Sequence, residues 1–502
     1  MVAFKNALAV LGNADLEMIH GATLEVLDKT GVFVDSPEAL DLLERNGHRV
    51  DRKTRVVRMS ESHVTEAVKS CAHNFRWHAR SEKHSIDAVD GRTKFGPGAQ
   101  CLYYIDPETG EYRPSTLDDG IRITRILDAL DTSAVGYVPV YPGDVPADAM
   151  SMAMWAVGLM HTSKPAYGSG GDKVEFEMTL RMAELILGDR ELISKKPLFP
   201  GYMDPISPLG QDKGMLETLL RYSEMDLPVF IMVMALAGGT APASLAGLLV
   251  QQNAEILSTI AIAKCVTKSP KVVYGSVSCP LDMRSGIAAT GSPEFSLLGV
   301  GAVQMAKFYG LPSDMGVQSD SKTVDAQTSY EKTQAALMAA LSGADFAELF
   351  MGSTEAFNAF SPIQLMIDDE IASNVMRIAE GIRVDESSLS VDVIGKIGPQ
   401  GNFLKHKETM AQFRREHLVP KLSDRMTRQQ WEASGARRAD ERAKARMDAV
   451  LESHTPEPLG PELEKGLSAL LKEYARGFDQ RRLEFRRPSE RRRRGNENTR
   501  PT

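Results

Sequence analysis

Histidine is missing from most of this chain. Its ten histidines stand at 20, 48, 63, 73, 78, 84, 161, 406, 417 and 454, so none falls between residues 162 and 405. A zinc site of the histidine-rich hydrolase kind needs two or three of them gathered at one place, and such chemistry is excluded over that span. Cysteine is scarce as well. Cys71, Cys101, Cys265 and Cys279 have no CxxC spacing and are too few to staple 502 residues, which fits a reducing, cytoplasmic setting. Cys101 and Cys279 lack a third ligand of the usual zinc type, and no Ser/His or Cys/His nucleophile pair is evident. Positive charge is not in excess: 59 Lys and Arg against 67 Asp and Glu leave a net charge of −8, so the molecule offers nucleic acid no basic field. No basic segment followed by an apolar core and cleavage site opens the chain, and no signal peptide is expected. The longest uncharged stretch, 228–250, is broken by Gly238, Gly239 and Pro242 and continues into Gln251, Gln252, Asn253 and Glu255. A buried strand, a glycine turn and a core helix account for it better than a membrane span.

What is present is an ordered alternation. Residues 1–95 carry helical spacing at Leu16, Ile19, Ala22, Leu24 and Leu27, a Ser36-Pro37 helix start and short strands near 50, 56–59 and 75–79. They read as a small α+β cap or oligomerisation region of a homo-oligomer. From 96 to 385, strand-like runs near 99–104, 134–138, 165–168, 198–201, 229–234, 272–275, 313–317 and 345–350 alternate with helical ones. Eight strand–helix units in this span, without an early GxGxxG, predict an α/β fold of the (β/α)8 TIM barrel class. A helical extension (386–476) and a basic tail (477–502) follow, and the tail's Arg491–Arg494 run reads as solvated and disordered.

In such barrels ligands meet the C-terminal ends of the strands. Seven of the chain's 12 tyrosines fall at those ends: Tyr103, Tyr104, Tyr137, Tyr141, Tyr167, Tyr202 and Tyr274. Packed rings are one reading; the other is an aromatic cage, whose ring faces hold a quaternary ammonium ion that cannot hydrogen-bond. The candidate walls are Tyr104, Tyr137, Tyr167, Tyr202, Tyr274 and Phe350. The candidate polar groups are Gln318, Asp320, Lys322 and Glu348; Asp204 could add charge, and Lys322 could meet a substrate carboxylate. Gly168–Gly171 and Gly238–Gly239 could cradle a phosphate, although neither has nucleotide-loop spacing.

Five segments, in order, carry a family resemblance: GATLEVLDKTGVFVDSPEALDLLERNGHRVD, LVQQNAEILSTIAIAK, ATGSPEFSLLGVGAVQMAKFYGLPS, SDSKTVDAQTSYEK and GPQGNFLKHKETMAQFRREHLVPKLSDR. The chain resembles the trimethylamine methyltransferase family of corrinoid-dependent enzymes. That resemblance implies a (β/α)8 barrel and transfer of a methyl group from an amine to the cobalt of a cognate corrinoid protein, the corrinoid being carried by that partner. It also implies a small amine substrate, quaternary or tertiary. Archaeal members carry pyrrolysine at the mouth, whereas this chain has only standard residues. Members lacking it include glycine betaine methyltransferases, so glycine betaine or a related betaine is the expected donor. A trimethylamine enzyme without pyrrolysine and a non-catalytic methylated-amine binding protein are the alternatives. A quaternary ammonium departs as a neutral amine and needs no general base, which fits the missing histidines.

Overall fold

A computed structural model describes residues 7–97, 100–167, 173–475 and 480–483, the side chains of 148, 349, 480 and 481 excepted. The glycine-rich turn at Gly168–Gly171 and the Arg491–Arg494 run lie outside the described residues.

The chain opens with α1 (Asn13–Glu25), α2 (Pro37–Arg45) and α3 (Glu61–Lys69) around short antiparallel strands. Ser36 caps α2 by accepting from Ala39 N–H, with Pro37 at the first helical position where its missing N–H costs nothing. The capping residue for α3 is Ser60. Both α1 and α3 pack on a later helix, α8 (Leu245–Lys264), through apolar side chains such as Leu16, Ile19 and Val64. That later helix is long and apolar enough to cross a membrane by composition, but 72% of its apolar window is buried inside the fold.

The organising element is a six-stranded parallel sheet of β1 (Lys94–Pro97), β2 (Gly201–Met203), β3 (Val229–Val233), β4 (Val272–Ser276), β5 (Ser313–Met315) and β6 (Phe346–Met351), hydrogen-bonded in the order β1-β6-β5-β4-β3-β2. Its register runs Met232 beside Gly275, Gly275 beside Asp314 and Asp314 beside Phe346. Helices α4 (Leu117–Ala129), α5 (Ala147–His161), α6 (Lys173–Leu187), α7 (Lys213–Glu224), α8, α9 (Pro293–Phe308), α10 (Ala326–Ser342) and α11 (Pro362–Ala379) alternate with the strands and cover the outer face. Parallel strands need such crossovers, and their two covered faces explain the continuous apolar runs of β3 and β4.

The expected barrel therefore appears as a mixed α/β fold with a curled parallel sheet. The expected strands at 134–138 and 165–168 continue the curl only as extended segments: Ala134 N–H donates to Phe95 O at 2.8 Å and Gly136 N–H to Pro165 O at 2.9 Å. Among the described residues no backbone bond joins 165–167 to β2. The expected strand at 99–104 is displaced: the sheet strand is β1, and Tyr103–Ile105 pairs instead with Tyr112–Pro114 and Ala359–Phe360.

Inside the curl, Phe230, Val273, Phe346 and Val135 meet Trp77, which reaches in from the N-terminal region and donates its indole N–H to Leu198 O at 3.1 Å. Trp77 lies 5.4 Å from the Phe230 ring and 6.2 Å from Phe346. This plug closes the N-terminal end of the sheet, so any ligand space opens at the other end.

After α11 come α12 (Glu386–Leu389), α13 (Val391–Ile397), α14 (Lys407–Glu416), α15 (Arg428–Ala433), α16 (Ala439–Ser453) and α17 (Pro461–Tyr474). The α16 helix packs on α11 and α4, and α17 on α5 and α6.

Candidate functional site: an aromatic, acidic cavity over the sheet

Above the Trp77 plug lies a cavity of about 790 Å³ at the C-terminal ends of the strands. Strand parity decides its floor. In β3, Phe230 and Met232 point into the curl while Val229, Ile231 and Val233 join the outer core, as alternation requires. Glu348 of β6 and Met232 of β3 accordingly reach the cavity, together with Tyr137, Tyr167 and Tyr202. The three tyrosine rings stand edge to face, Tyr137 at 5.4 Å and Tyr202 at 5.7 Å from Tyr167. Tyr167 also rests on Phe230 at 5.1 Å, so the plug fixes its height. Its hydroxyl donates to Glu348 Oε1.

The opposite wall is α5, which contributes Met150, Met154 and Trp155; Met215, Met232, Met234 and Phe357 complete an apolar lining rich in thioethers. Three acidic residues interrupt it: Glu348, Asp204 and Glu175, the last accepting from Ser151 Oγ at 2.7 Å. No Lys, Arg, His or Cys is among the described lining residues. Burial drives the Glu348 carboxyl well above the usual carboxylate range. The same desolvation lifts Asp204 to about 7, although it lies open to the cavity. Asp314, inward on β5 and fully buried, is lifted to about 7 too. Neither of its carboxyl oxygens has a hydrogen-bond partner, and the nearby backbone of Glu348 and Met315 offsets its desolvation only in part. Its charge lies near enough to Tyr137 and Tyr202 to help hold both phenols neutral.

Of the residues expected at this site, Tyr137, Tyr167, Tyr202 and Glu348 come together in the cavity, with Asp204 beside them. The other six are placed elsewhere, each for a local reason. Tyr104 sits off the parallel sheet, under the Arg113 guanidinium at 4.7 Å. Tyr274 has outward parity, and its hydroxyl donates to Asn253 Oδ1 on α8 at 3.1 Å. Phe350 shares the nominal parity of Glu348, but a register shift between Ala347 and Met351 turns it outward against Phe95 at 5.5 Å.

Gln318, Asp320 and Lys322 belong to a turn whose polar groups bond to neighbouring protein groups. Gln318 Nε2 donates to Ser353 Oγ at 2.8 Å, while Asp320 accepts from Thr290 N–H at 2.9 Å and from its hydroxyl at 2.8 Å. Lys322 Nζ donates to Asp320 O at 2.7 Å and is exposed. The capping carboxylate of α10 is Asp325, which accepts from Thr328 N–H.

Sequence reasoning passed over the α5 wall and Asp314. The signal for α5 was the run AMSMAMWAVGLM, apolar all round the helix rather than on one stripe, which marks a helix enclosed on every side. Asp314 gave no signal, because a single aspartate in a short strand reads like any strand-end polar residue.

Ring faces and carboxyl groups in this arrangement can hold a cation, and the carboxyls can also carry a proton. It offers no nucleophile of the thiol, imidazole or amine type among the described lining. A family model described as trimethylamine methyltransferase matches residues 2–477. The glycine betaine methyltransferase of Desulfitobacterium hafniense is 33% identical, over 92% of this chain and 96% of that protein. A trimethylamine methyltransferase of the same species is 34% identical over 93% and 94%, and that of Methanosarcina thermophila 34% over 92% and 96%. The crystal structure of the Methanosarcina barkeri monomethylamine methyltransferase is a distant likeness, with a TM-score of 0.42 at 12% identity over 92% of this chain and 93% of that one. With a match over nearly its whole length, and relatives that are themselves methyltransferases, this chain is an enzyme of the trimethylamine methyltransferase family.

Proposed function

We propose that this enzyme moves a methyl group from a small quaternary amine to the Co(I) of a corrinoid held by a cognate partner protein. The observation that carries the reading is the cavity wall: three edge-to-face tyrosines and three acidic side chains, without one basic group among the described lining. Ring quadrupoles and carboxylates attract an ammonium ion whose methyl groups shield it from hydrogen bonding. Tyr137, Tyr167 and Tyr202 would strip water from the cation, Glu348 would face its charge, and the apolar wall of α5 would aim one methyl towards the mouth. The departing group is a neutral tertiary amine, so the protein's part is proximity and desolvation. Closure of the sheet into a complete (β/α)8 barrel, self-association and a cytoplasmic site of action belong to the same proposal. The free, mostly buried cysteines favour that compartment.

A trimethylamine donor is the second reading, favoured by one observation: burial raises the Glu348 carboxyl well above the usual carboxylate range, so it can supply the proton that a tertiary amine needs before it can leave. Absorbance of a corrinoid protein held as Co(I) tests both. Glycine betaine, proline betaine, carnitine, choline and trimethylamine are supplied singly. Formation of methyl-Co(III) with a quaternary donor is the expected result. Turnover of trimethylamine alone would establish the second reading, and silence with all five would leave a protein that binds methylated amines without demethylating them.

A further inference from the structure

We propose that the preferred donor is a quaternary ammonium ion that bears no carboxylate, a permanently cationic molecule of the choline type. This deepens the methyl-transfer reading and rests on it for the reaction, though not for binding. The expectation of a betaine needs a cationic group to receive the betaine's carboxylate. Lys322, the side chain expected to do so, is committed to Asp320 O at 2.7 Å and does not line the cavity. No other Lys, Arg or His is among the described lining residues, and residues 98–99 and 168–172, which neighbour Gln100 and Tyr167 in sequence and lie outside the described residues, include none. What stands in that position is acid. Glu348 accepts from the Tyr167 hydroxyl, and Asp204 and Glu175 also line the space. Asp314 lies buried beside Tyr137 and Tyr202 with no hydrogen-bond partner for either carboxyl oxygen.

A cation entering this space meets ring faces and acidic side chains, with no basic side chain among the described lining. A zwitterion of the same shape brings a second charge with nothing to meet it, next to groups of its own sign. The cavity volume of about 790 Å³ also leaves room for a substituent larger than a methyl on the nitrogen.

Choline and glycine betaine form a matched pair, near in shape and differing by a hydroxymethyl against a carboxylate. Calorimetry on the full chain at pH 8, without any corrinoid partner, is expected to show choline and tetramethylammonium binding at least tenfold more tightly than glycine betaine. Asp204→Lys places an ammonium at an exposed cavity position and is expected to bring glycine betaine level with choline or ahead of it. Asp204→Asn, a smaller change, is expected to narrow the gap at least threefold, and circular dichroism verifies that both variants fold. Glycine betaine binding as tightly as choline to the unaltered chain would overturn the proposal. So would the absence of binding by all three ligands, or an unchanged preference in both folded Asp204 variants. The two readings fail separately: tight choline binding with silent cobalt defeats methyl transfer alone, and turnover of glycine betaine with choline refused defeats the donor class alone.

Discussion

At the scale of single residues, the cavity region is marked by carboxyl groups that the fold pays to keep. Asp314 is the plainest case, fully buried on β5 with neither oxygen hydrogen-bonded. Its folded pKa, raised to about 7, lies above the value near 3.8 of an unfolded aspartate. Between those values the folded chain binds more protons than the unfolded one. Its contribution to stability is therefore fully present below about pH 4 and is lost as pH rises towards 7. Asp314→Asn, which keeps the shape and removes the charge, is expected to leave stability almost unchanged at pH 4 and to raise it at pH 8. The upper limit is about 4 kcal/mol, from a shift of roughly three pKa units. Denaturant unfolding at the two pH values reads the difference directly, and equal effects at both would show that Asp314 is not titrating as described. Glu348, Tyr137, Tyr167 and Tyr202 were legible in sequence because each falls in or beside a strand-like run. Asp314 was not, because only three-dimensional packing tells a buried unpartnered carboxyl from a solvated one.

At the scale of elements, the starts of several helices in the alternating region are marked in the sequence by their capping chemistry. Examples are Ser292-Pro293 at the start of α9, Ser361-Pro362 at α11 and Asp325 at α10. The strands were less readable: 134–138 and 165–168 are only extended segments, 99–104 falls off the parallel sheet, and facing was misread in β6. The shift within β6 that turns Phe350 outward has no signature in ELFMG, and it is stabilised from outside the strand. Lys332 on α10 donates to Phe350 O at 2.6 Å and to Asp368 Oδ2 on α11 at 2.8 Å, with both charged side chains fully buried. Asp368 also accepts from Gly352 N–H at 2.8 Å and from Gln364 Nε2 at 2.8 Å. One ion pair thus joins two helices to the strand that carries Glu348. Lys332→Met is expected to cost about 3–5 kcal/mol by stranding Asp368, and Lys332→Met with Asp368→Leu to recover part of that loss. Thermal unfolding of the single and double variants measures the coupling; additive losses would mean that the pair is not a unit.

At the scale of the whole molecule, the C-terminal part of the chain is secured to the alternating middle by polar contacts that sequence patterns do not reveal. Glu370 of α11 accepts from the backbone of Lys421 at 2.9 Å, Leu422 at 3.2 Å and Ser423 at 3.2 Å, holding the C-terminal extension in place. Asp128 of α4 accepts from His454 Nε2 at 2.7 Å and from Ser163 N–H at 2.7 Å. These bonds outweigh its burial and hold its carboxyl well below the usual range. The sign is opposite to that of Asp314: the stability from Asp128 is present above pH 4 and disappears as pH falls below it. Asp128→Asn is expected to cost roughly 2–3 kcal/mol at pH 7 and to flatten the acid limb of the stability profile, as scanning calorimetry between pH 3 and 7 would register. An acid limb unchanged in the variant would assign acid unfolding to other carboxylates. These contacts were illegible because they join residues more than 50 apart or follow a loop with no periodic pattern, whereas the alternation itself is a local signal repeated along the chain.

The thioether wall of the cavity has a consequence in redox terms. Cys71 and Cys279 are buried, with thiols pushed up to about 12, and Cys265 is pushed up to about 11, so little thiolate exists to meet an oxidant. Met234, 41% exposed, faces the cavity with Met150, Met154, Met215 and Met232. A sulfoxide there exchanges a soft apolar contact for a rigid dipole. Oxidative damage to this enzyme thus falls on thioethers rather than thiols, and Met234 brings it into the chamber where its substrate would bind, alongside the more exposed Met18, Met283, Met410 and Met426 elsewhere on the surface.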